Sequence, residues 1–566
     1  MSLQFITGNS GNGKTKYLFN RIVKEAKANP RDNYLVIVPE QFTMQTQRQL
    51  VDLSENKAIM NIDVLSFKRL AYRVFDELGI TNLTVLEETG KNLVLRKLAA
   101  QEADKLGVIG RNLNRIGYIS EVKSLLSELV QYNISPEELG RYIASGRLSD
   151  TLSDKLKDVL VLYEAFEKFM QDKYITAEEI LNVLSNVAEE SAILRNSVIA
   201  FDEFTGFTPI QNQLIKKLFV ISKKIYVTLT IDCREDIFKS RGMQELFDMP
   251  KRTVKSLTEM AAFYGIEVEE PIILDKNYRL AENEELSFME QQLFRKRRCS
   301  FKKAPKHIHI DCLRDPKQEL TKIARRINEL VRKENLRYRD IAIVTGDVNI
   351  YAGYVREIFD KYNIPYFIDA TQEILFHPFI EFIRSIPDIA AQNFSADAVF
   401  RFLRCGFSEL LDSEIDVLEN YVLACGVRGK SAWDKKWVRL PKHKAGYDLE
   451  LLNQSREYIM ELLKPVYQVF SNKKSTVKDY VLAIYKLIVL LDIPDKLAKK
   501  EQALLDAGDQ TASKEYGQIY KIVMQLFEKY VAVLGDECMD AEEFTQILDA
   551  GLDAVNISLD TMNRGR

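Results

Sequence analysis

A chain of 566 residues is too long for one compact core and predicts roughly three or four domains. With 46% hydrophobic and 28% charged residues and a net charge of −3, it is neither a disordered chain nor a polycation, so any nucleic-acid binding must rest on local basic patches. Apolar runs such as Leu487–Leu491 are too short to cross a bilayer, and Met1–Gly8 lacks a signal-peptide pattern, so the expectation is a cytosolic protein with no membrane partner.

The chain opens as strand, glycine loop and helix. Leu3–Thr7 is apolar, Gly8–Thr15 interrupts it, and Lys16–Lys27 carries helical spacing at Leu18, Ile22 and Val23. Strands at Tyr34–Val38 and Ile59–Leu65 continue the alternation, which predicts an α/β fold with a parallel sheet covered by helices. From 87 to 195 the pattern turns helical, with one stripe at Ile119, Val122, Leu125, Leu126 and Leu129. Another helix opens at Ser135-Pro136-Glu137-Glu138, where Ser caps and Pro takes the first helical position. Sheet character resumes at Ser197–Phe201, a capped helix starts at Thr208-Pro209-Ile210-Gln211, and strand Ile225–Ile231 follows. Residues 1–86 and 196–294 thus read as one discontinuous α/β domain holding a helical insert, 87–195.

Arg295–Lys306 is a basic joint. Beyond it, strands are expected at His307–Cys312, Ile341–Thr345 and Tyr366–Ile368, with helices through Leu320, Ile323, Ile327 and Leu330 and around Tyr354–Tyr362. This makes 295–379 a second, partial α/β unit, and 380–566 a helical subdomain. Three strands beside so large a helical block look unfinished, which leads to the expectation of a piece of a longer protein. The six cysteines show neither zinc-finger spacing nor a disulfide framework. His307 and His309 would share a strand face that Cys312 does not, so no protein-built metal site is expected.

The strongest chemical signal is Gly8-Asn9-Ser10-Gly11-Asn12-Gly13-Lys14-Thr15, a full match to G-x-x-x-x-G-K-[ST] between a strand and a helix. Gly8, Gly11, Asn12 and Gly13 would let backbone amides curl around phosphate oxygens, Lys14 would reach the β- and γ-phosphates of ATP, and Thr15 would hold Mg²⁺. Such a site needs a carboxylate at a neighbouring strand end, and Asp202-Glu203 after four apolar residues supplies one for the metal and one to polarise water. Arg279, in Asn277-Tyr278-Arg279, is either a γ-phosphate finger or a surface arginine. Trp433 and Trp437 lie within the basic stretch Arg428–Lys444, where they either stack DNA bases or pack beneath a charged face.

The loop, Val38-Pro39-Glu40-Gln41-Phe42-Thr43 and Leu65-Ser66-Phe67-Lys68-Arg69-Leu70 occur in the order of the UvrD-like superfamily 1 helicase motifs, and Asn277-Tyr278-Arg279 resembles the fourth of them. With Phe204–Pro209 and Asn420-Tyr421-Val422-Leu423, the chain more closely resembles the AddB family, the B subunits of ATP-dependent helicase–nucleases that process double-strand DNA ends for recombinational repair. The resemblance implies RecA-like domains, an AddA-type partner in a heterodimer, and single- and double-stranded DNA as ligands. It places Gln41, Thr43 and Ser66 on the DNA backbone and gives Arg279 the finger role. The family's iron–sulfur cluster belongs to a C-terminal nuclease domain, to which nothing here corresponds; the late helicase motifs are also missing. Strand Ile225–Ile231 leads into Asp232-Cys233-Arg234-Glu235 without the third motif's glutamine, and no adenine-reading glutamine motif precedes Leu3. The expectation is therefore ATP binding with little turnover. The rival readings are a small-molecule P-loop kinase and a non-catalytic interaction scaffold.

Overall fold

The computed structural model describes residues 1–80, 85–86, 88–108, 110, 118–145, 148–171, 174–295, 299–368, 371–373, 377–441, 447–472, 474–553 and 556–558. The chain forms two compact units, 1–86 with 124–311 and 87–123 with 312–566.

The first unit is built on seven strands, all paired in parallel: β1 (Ser2–Gly8), β2 (Tyr34–Ile37), β3 (Ile62–Leu65), β4 (Val198–Phe201), β5 (Lys224–Thr230), β6 (Glu267–Val268) and β7 (Ile272–Leu274). Their order is β3-β2-β4-β5-β1-β6, with β7 also paired to β1. Side-chain alternation splits the core into two layers. Leu3, Phe5, Ile199 and Phe201 point to one face, beneath α3 (Phe67–Leu78), α4 (Pro209–Ile221) and α5 (Asp248–Phe263). Ile6, Val36, Ala200 and Tyr226 point to the other, beneath α1 (Lys14–Ala28) and α2 (Thr43–Leu53). Burial on both faces is why these strands read as unbroken apolar runs rather than alternating ones.

Local chemistry sets the helix starts as expected. Thr208 and Gln211 form a capping box ahead of Pro209, and Ser135 accepts a hydrogen bond from the Glu138 amide ahead of Pro136. The expected 87–195 insert is shared between the units. Helices Pro136–Ala144, Asp150–Met170 and Ile180–Val187 stay with the sheet, whereas Glu88–Gln101 lies in the second unit, where Leu93 joins the core and Lys97 pairs with Glu537 at 2.7 Å.

That second unit is mainly helical. Helices Pro378–Ala391, Ala396–Leu403, Asp412–Cys425, Leu449–Phe470, Val477–Leu490 and Gln510–Leu534 supply most of one large core. Helices Pro316–Lys333 and Val348–Lys361 pack on each other through Leu320, Ala324, Ile327, Val355, Ile358 and Phe359. The three strands expected around them do not form: among the described residues, 307–312, 341–345 and 366–368 join no ladder. Ile310 is 94% exposed and Val344 92%. An apolar run becomes a strand only when a neighbouring strand takes its amides and carbonyls, and no described strand pairs with these segments: Ile341, Tyr366 and Ile368 pack instead against the two helices. The described strands outside the first unit's main sheet are Val85–Leu86, parallel to Ile175–Thr176, and Thr371–Glu373, antiparallel to Asn556–Ser558. No described helix is long and apolar enough to cross a membrane.

Candidate nucleotide site

The carboxyl ends of parallel strands are where open α/β sheets bind ligands, and the phosphate-loop motif lies at the end of β1, an interior strand. Its backbone needs its glycines. Gly13 caps α1 at φ 78°, and Gly11 sits at φ 88°, where a Cβ would come within 2.8 Å of Asn277 Oδ1 and 2.9 Å of Arg279 Cβ. A Cβ on Gly8 would lie 2.5 Å from the Leu274 carbonyl oxygen.

A distant segment holds the loop in shape. Asn12 Nδ2 donates to the Leu274 carbonyl at 2.5 Å, Asn277 Nδ2 donates to the Ser10 carbonyl at 2.8 Å, and the Tyr278 amide donates to the Gly11 carbonyl at 3.0 Å. Asn9 is tied to Glu290 and to the Cys233 amide, each at 2.9 Å. These braces were not foreseen; β7 has only three residues, too few for an alternation pattern to register.

Lys14 Nζ donates to the Gly8 and Asn9 carbonyls at 3.1 and 3.0 Å. Burial lowers its pKa, and the charges of Glu203 and Asp202 oppose that shift. Thr15 Oγ1 donates to Glu203 Oε1 at 3.3 Å. Asp202, at the end of β4, is 1% exposed. Its Oδ1 accepts from Thr228 Oγ1, while Oδ2 is buried with no hydrogen-bond partner. Burial raises its pKa, the Thr228 hydrogen bond opposes the rise, and the Glu203 charge adds to it. Glu203 follows at φ 64°, a left-handed conformation that costs a non-glycine residue on the order of 1–3 kcal/mol and turns its carboxylate out into the cleft. The cleft, of about 790 Å³, is lined by Gly11, Gly13, Lys14, Thr15, Asp202, Glu203 and Arg279 of the expected set, and also by Thr228, Thr230 and Tyr278. Thr228 and Thr230 left a trace in the sequence: two hydroxyls at alternate positions close an otherwise apolar strand at its ligand-binding end.

Gly8 and Asn12 belong to the loop without lining the cleft, and Gln41, Thr43, Ser66, Trp433 and Trp437 do not line it either. Gln41 is exposed in the turn Glu40–Phe42. Thr43 and Ser66 are buried: Thr43 Oγ1 donates to the Glu40 carbonyl at 3.0 Å, and Ser66 Oγ accepts from the Arg69 amide, capping α3, and donates to Glu40 Oε2 at 3.1 Å. Of the two readings of Trp433 and Trp437, the structure favours packing beneath a charged face over base stacking. Trp433 is fully buried, Trp437 nearly so, and the rings meet edge to face at 5.2 Å inside the helical core, where no base could reach them. In the basic joint, Arg295 is consumed by buried Asp232 at 2.9 Å, and Lys296, Arg297 and Arg298 lie outside the described residues. Arg234 joins the same carboxylate, and the two guanidiniums hold its pKa well below the usual range against the opposing effect of burial. His307 lies 3.4 Å from Glu285, and no cluster of three or more His, Cys, Asp or Glu side chains placed to hold a metal occurs among the described residues.

Fold and cleft define a parallel α/β protein whose first strand runs through a glycine loop into its first helix. The chain matches the AddB N-terminal family model over residues 5–290 and belongs to that family. It is 38% identical over 99% of its length to a Lachnoclostridium phytofermentans protein, the B subunit of an ATP-dependent helicase/deoxyribonuclease. It is 32% identical to proteins of the same name from Clostridium acetobutylicum and Caldanaerobacter subterraneus, over 98% and 99% of its length. It covers 49%, 48% and 49% of the three, about half the length of each. These matches carry the family membership, not the expectation that the chain is a fragment.

Proposed function

We propose that this chain is the nucleotide-binding, helicase-like portion of a B-type subunit, working with an AddA-type partner on single- and double-stranded DNA ends. The observation that carries the reading is the orphaned Oδ2 of Asp202. A buried carboxylate oxygen without a partner is costly, and a hydrated cation beside Thr15 would relieve it. The residues present therefore fit ATP·Mg²⁺, whose metal neutralises charge on the β- and γ-phosphates when bound. The amides of Gly11 to Thr15 would cradle the phosphates at the α1 N-terminus, and Lys14 would exchange its two carbonyl partners for phosphate oxygens. Thr15 and Asp202 would hold Mg²⁺ directly and through water. Glu203 would orient and deprotonate the attacking water, and Arg279 would stabilise charge on the γ-phosphate.

One strand, β5, separates the loop-bearing β1 from the acid-bearing β4, which supports a RecA-like reading of 1–86 with 196–294. Exposed Gln41 remains the residue of its motif best placed to meet a DNA backbone. Titration of the chain with ATP·Mg²⁺ tests the proposal. Lys14→Ala should weaken binding about 100-fold, since it removes more than one charge-assisted hydrogen bond. An unchanged affinity would discard the site. Turnover by the isolated chain should stay low, and vigorous DNA-stimulated hydrolysis would contradict that half of the reading.

A further inference from the structure

The two threonines that close β5 have different fates. Residues 226, 228 and 230 share the sheet face beneath α1. Tyr226 is buried there, with its hydroxyl donating to Glu25 of α1 at 2.8 Å. Thr228 is buried, its hydroxyl spent on Asp202 Oδ1. Thr230, one step nearer the strand's carboxyl end, is only half-buried and lines the cleft.

Its position is tightly defined. β5 lies between the strand that leads into the phosphate loop and the strand that carries Asp202. Thr230 is in register with Gly8, the first residue of the loop. The amide of the next residue, Ile231, donates to the Gly8 carbonyl at 3.3 Å, and Lys14 Nζ donates to that same oxygen at 3.1 Å. The Thr230 backbone is thus anchored beside the lysine head, on the Asp202 side of the loop. A nucleotide whose β-phosphate occupies the loop would direct its terminal phosphate towards this side, where Lys14, Asp202 and Glu203 converge.

We propose that the Thr230 hydroxyl donates to the terminal phosphate of a bound nucleoside triphosphate and so distinguishes it from a diphosphate. This rests on the nucleotide-binding reading above and assigns a residue to the strand end where the expected glutamine is missing. A hydroxyl on a short, β-branched side chain reaches only the adjoining oxygen, and its χ1 is restricted by the strand, so little freedom is lost on binding. Because the hydroxyl contacts only the terminal phosphate, its removal should affect the triphosphate alone.

The test is the affinity of the whole chain for ATP·Mg²⁺ and ADP·Mg²⁺, measured for the wild type, Thr230→Val and Thr230→Ser. Valine keeps the shape and β-branching but lacks the hydroxyl; serine keeps the hydroxyl. The expected result is a loss of about tenfold in ATP affinity for Thr230→Val, with ADP affinity unchanged and Thr230→Ser close to wild type. Should Thr230→Val not fold, Thr230→Ala carries the same expectation. Equal ATP affinity in the wild type and the variant, or a parallel loss of ATP and ADP, overturns the assignment while leaving the site standing. A wild-type chain that binds neither nucleotide overturns the site and this assignment with it.

Discussion

Gly13-Lys14 and Gly429-Lys430 make an instructive pair. Both glycines sit at φ 78°, and each precedes a lysine that opens a helix. After Gly13 the helix runs for 15 residues, and its first turn stands at the carboxyl end of β1, near Asp202 and Glu203, so Lys14 lies among loop carbonyls and carboxylates. After Gly429 the helix lasts five residues and drives Trp433 into a hydrophobic core, while Lys430 pairs with Asp434 at 2.5 Å and lies over the Tyr467 ring. The positive φ is common to both, although ψ is 26° at Gly13 and 153° at Gly429, so only Gly13 is in the left-handed helical region. A buried, under-partnered acid across a cleft is found only beside the first. The difference shows that a positive-φ glycine ahead of a lysine is a way of starting a helix; what sets the first apart is the pair of carboxylates beside it.

The sharpest way to break this comparison is Trp433→Ala. Removing a fully buried indole should destabilise the chain by about 3–5 kcal/mol in chemical denaturation. Normal stability with lost oligonucleotide binding would instead return the tryptophan to an interface. Next comes pH. His377 caps helix Pro378–Ala391 through Nδ1, and burial pushes its pKa down to about 4. Unfolded, it takes up a proton near the ordinary value of about 6.5; folded, it resists until about 4. Its contribution is therefore complete above pH 6.5 and is lost as the pH falls through the window below, on the order of 3 kcal/mol in all. His377→Asn keeps a capping acceptor and should flatten that acid slope; an unaltered slope would assign the sensitivity elsewhere. The smallest effect belongs to Ser66→Ala, which removes the α3 cap and should cost about 1 kcal/mol of stability. If oligonucleotide affinity falls while stability holds, Ser66 serves DNA rather than its helix.

What the sequence disclosed follows the range of each interaction. The loop between β1 and α1, strands β2 to β5 and the caps at Ser135 and Thr208 are written within a few neighbouring residues, and each could be read within one to three residues of its place. Whether Ile341–Thr345 becomes a strand depends on a partner elsewhere in the chain, which periodicity does not reveal. The same holds for Trp433 and Trp437: lysines on either side describe the surface above them, not the core below. Asp202 was legible because it ends an apolar strand. The role of Leu274 was not, since it acts through a backbone carbonyl that carries no side-chain signature.

The bracing of the glycine loop has a consequence for biogenesis. Asn12 finds its acceptor 262 residues downstream, and Ser10 its donor 267 residues downstream. At a synthesis rate of roughly 5–20 residues per second, the ribosome takes on the order of 15–50 s to make that stretch, and meanwhile the amino end is exposed without its clasp. The nucleotide binding proposed for this loop should accordingly mature only once residues 274–279 have emerged and locked the turn from outside.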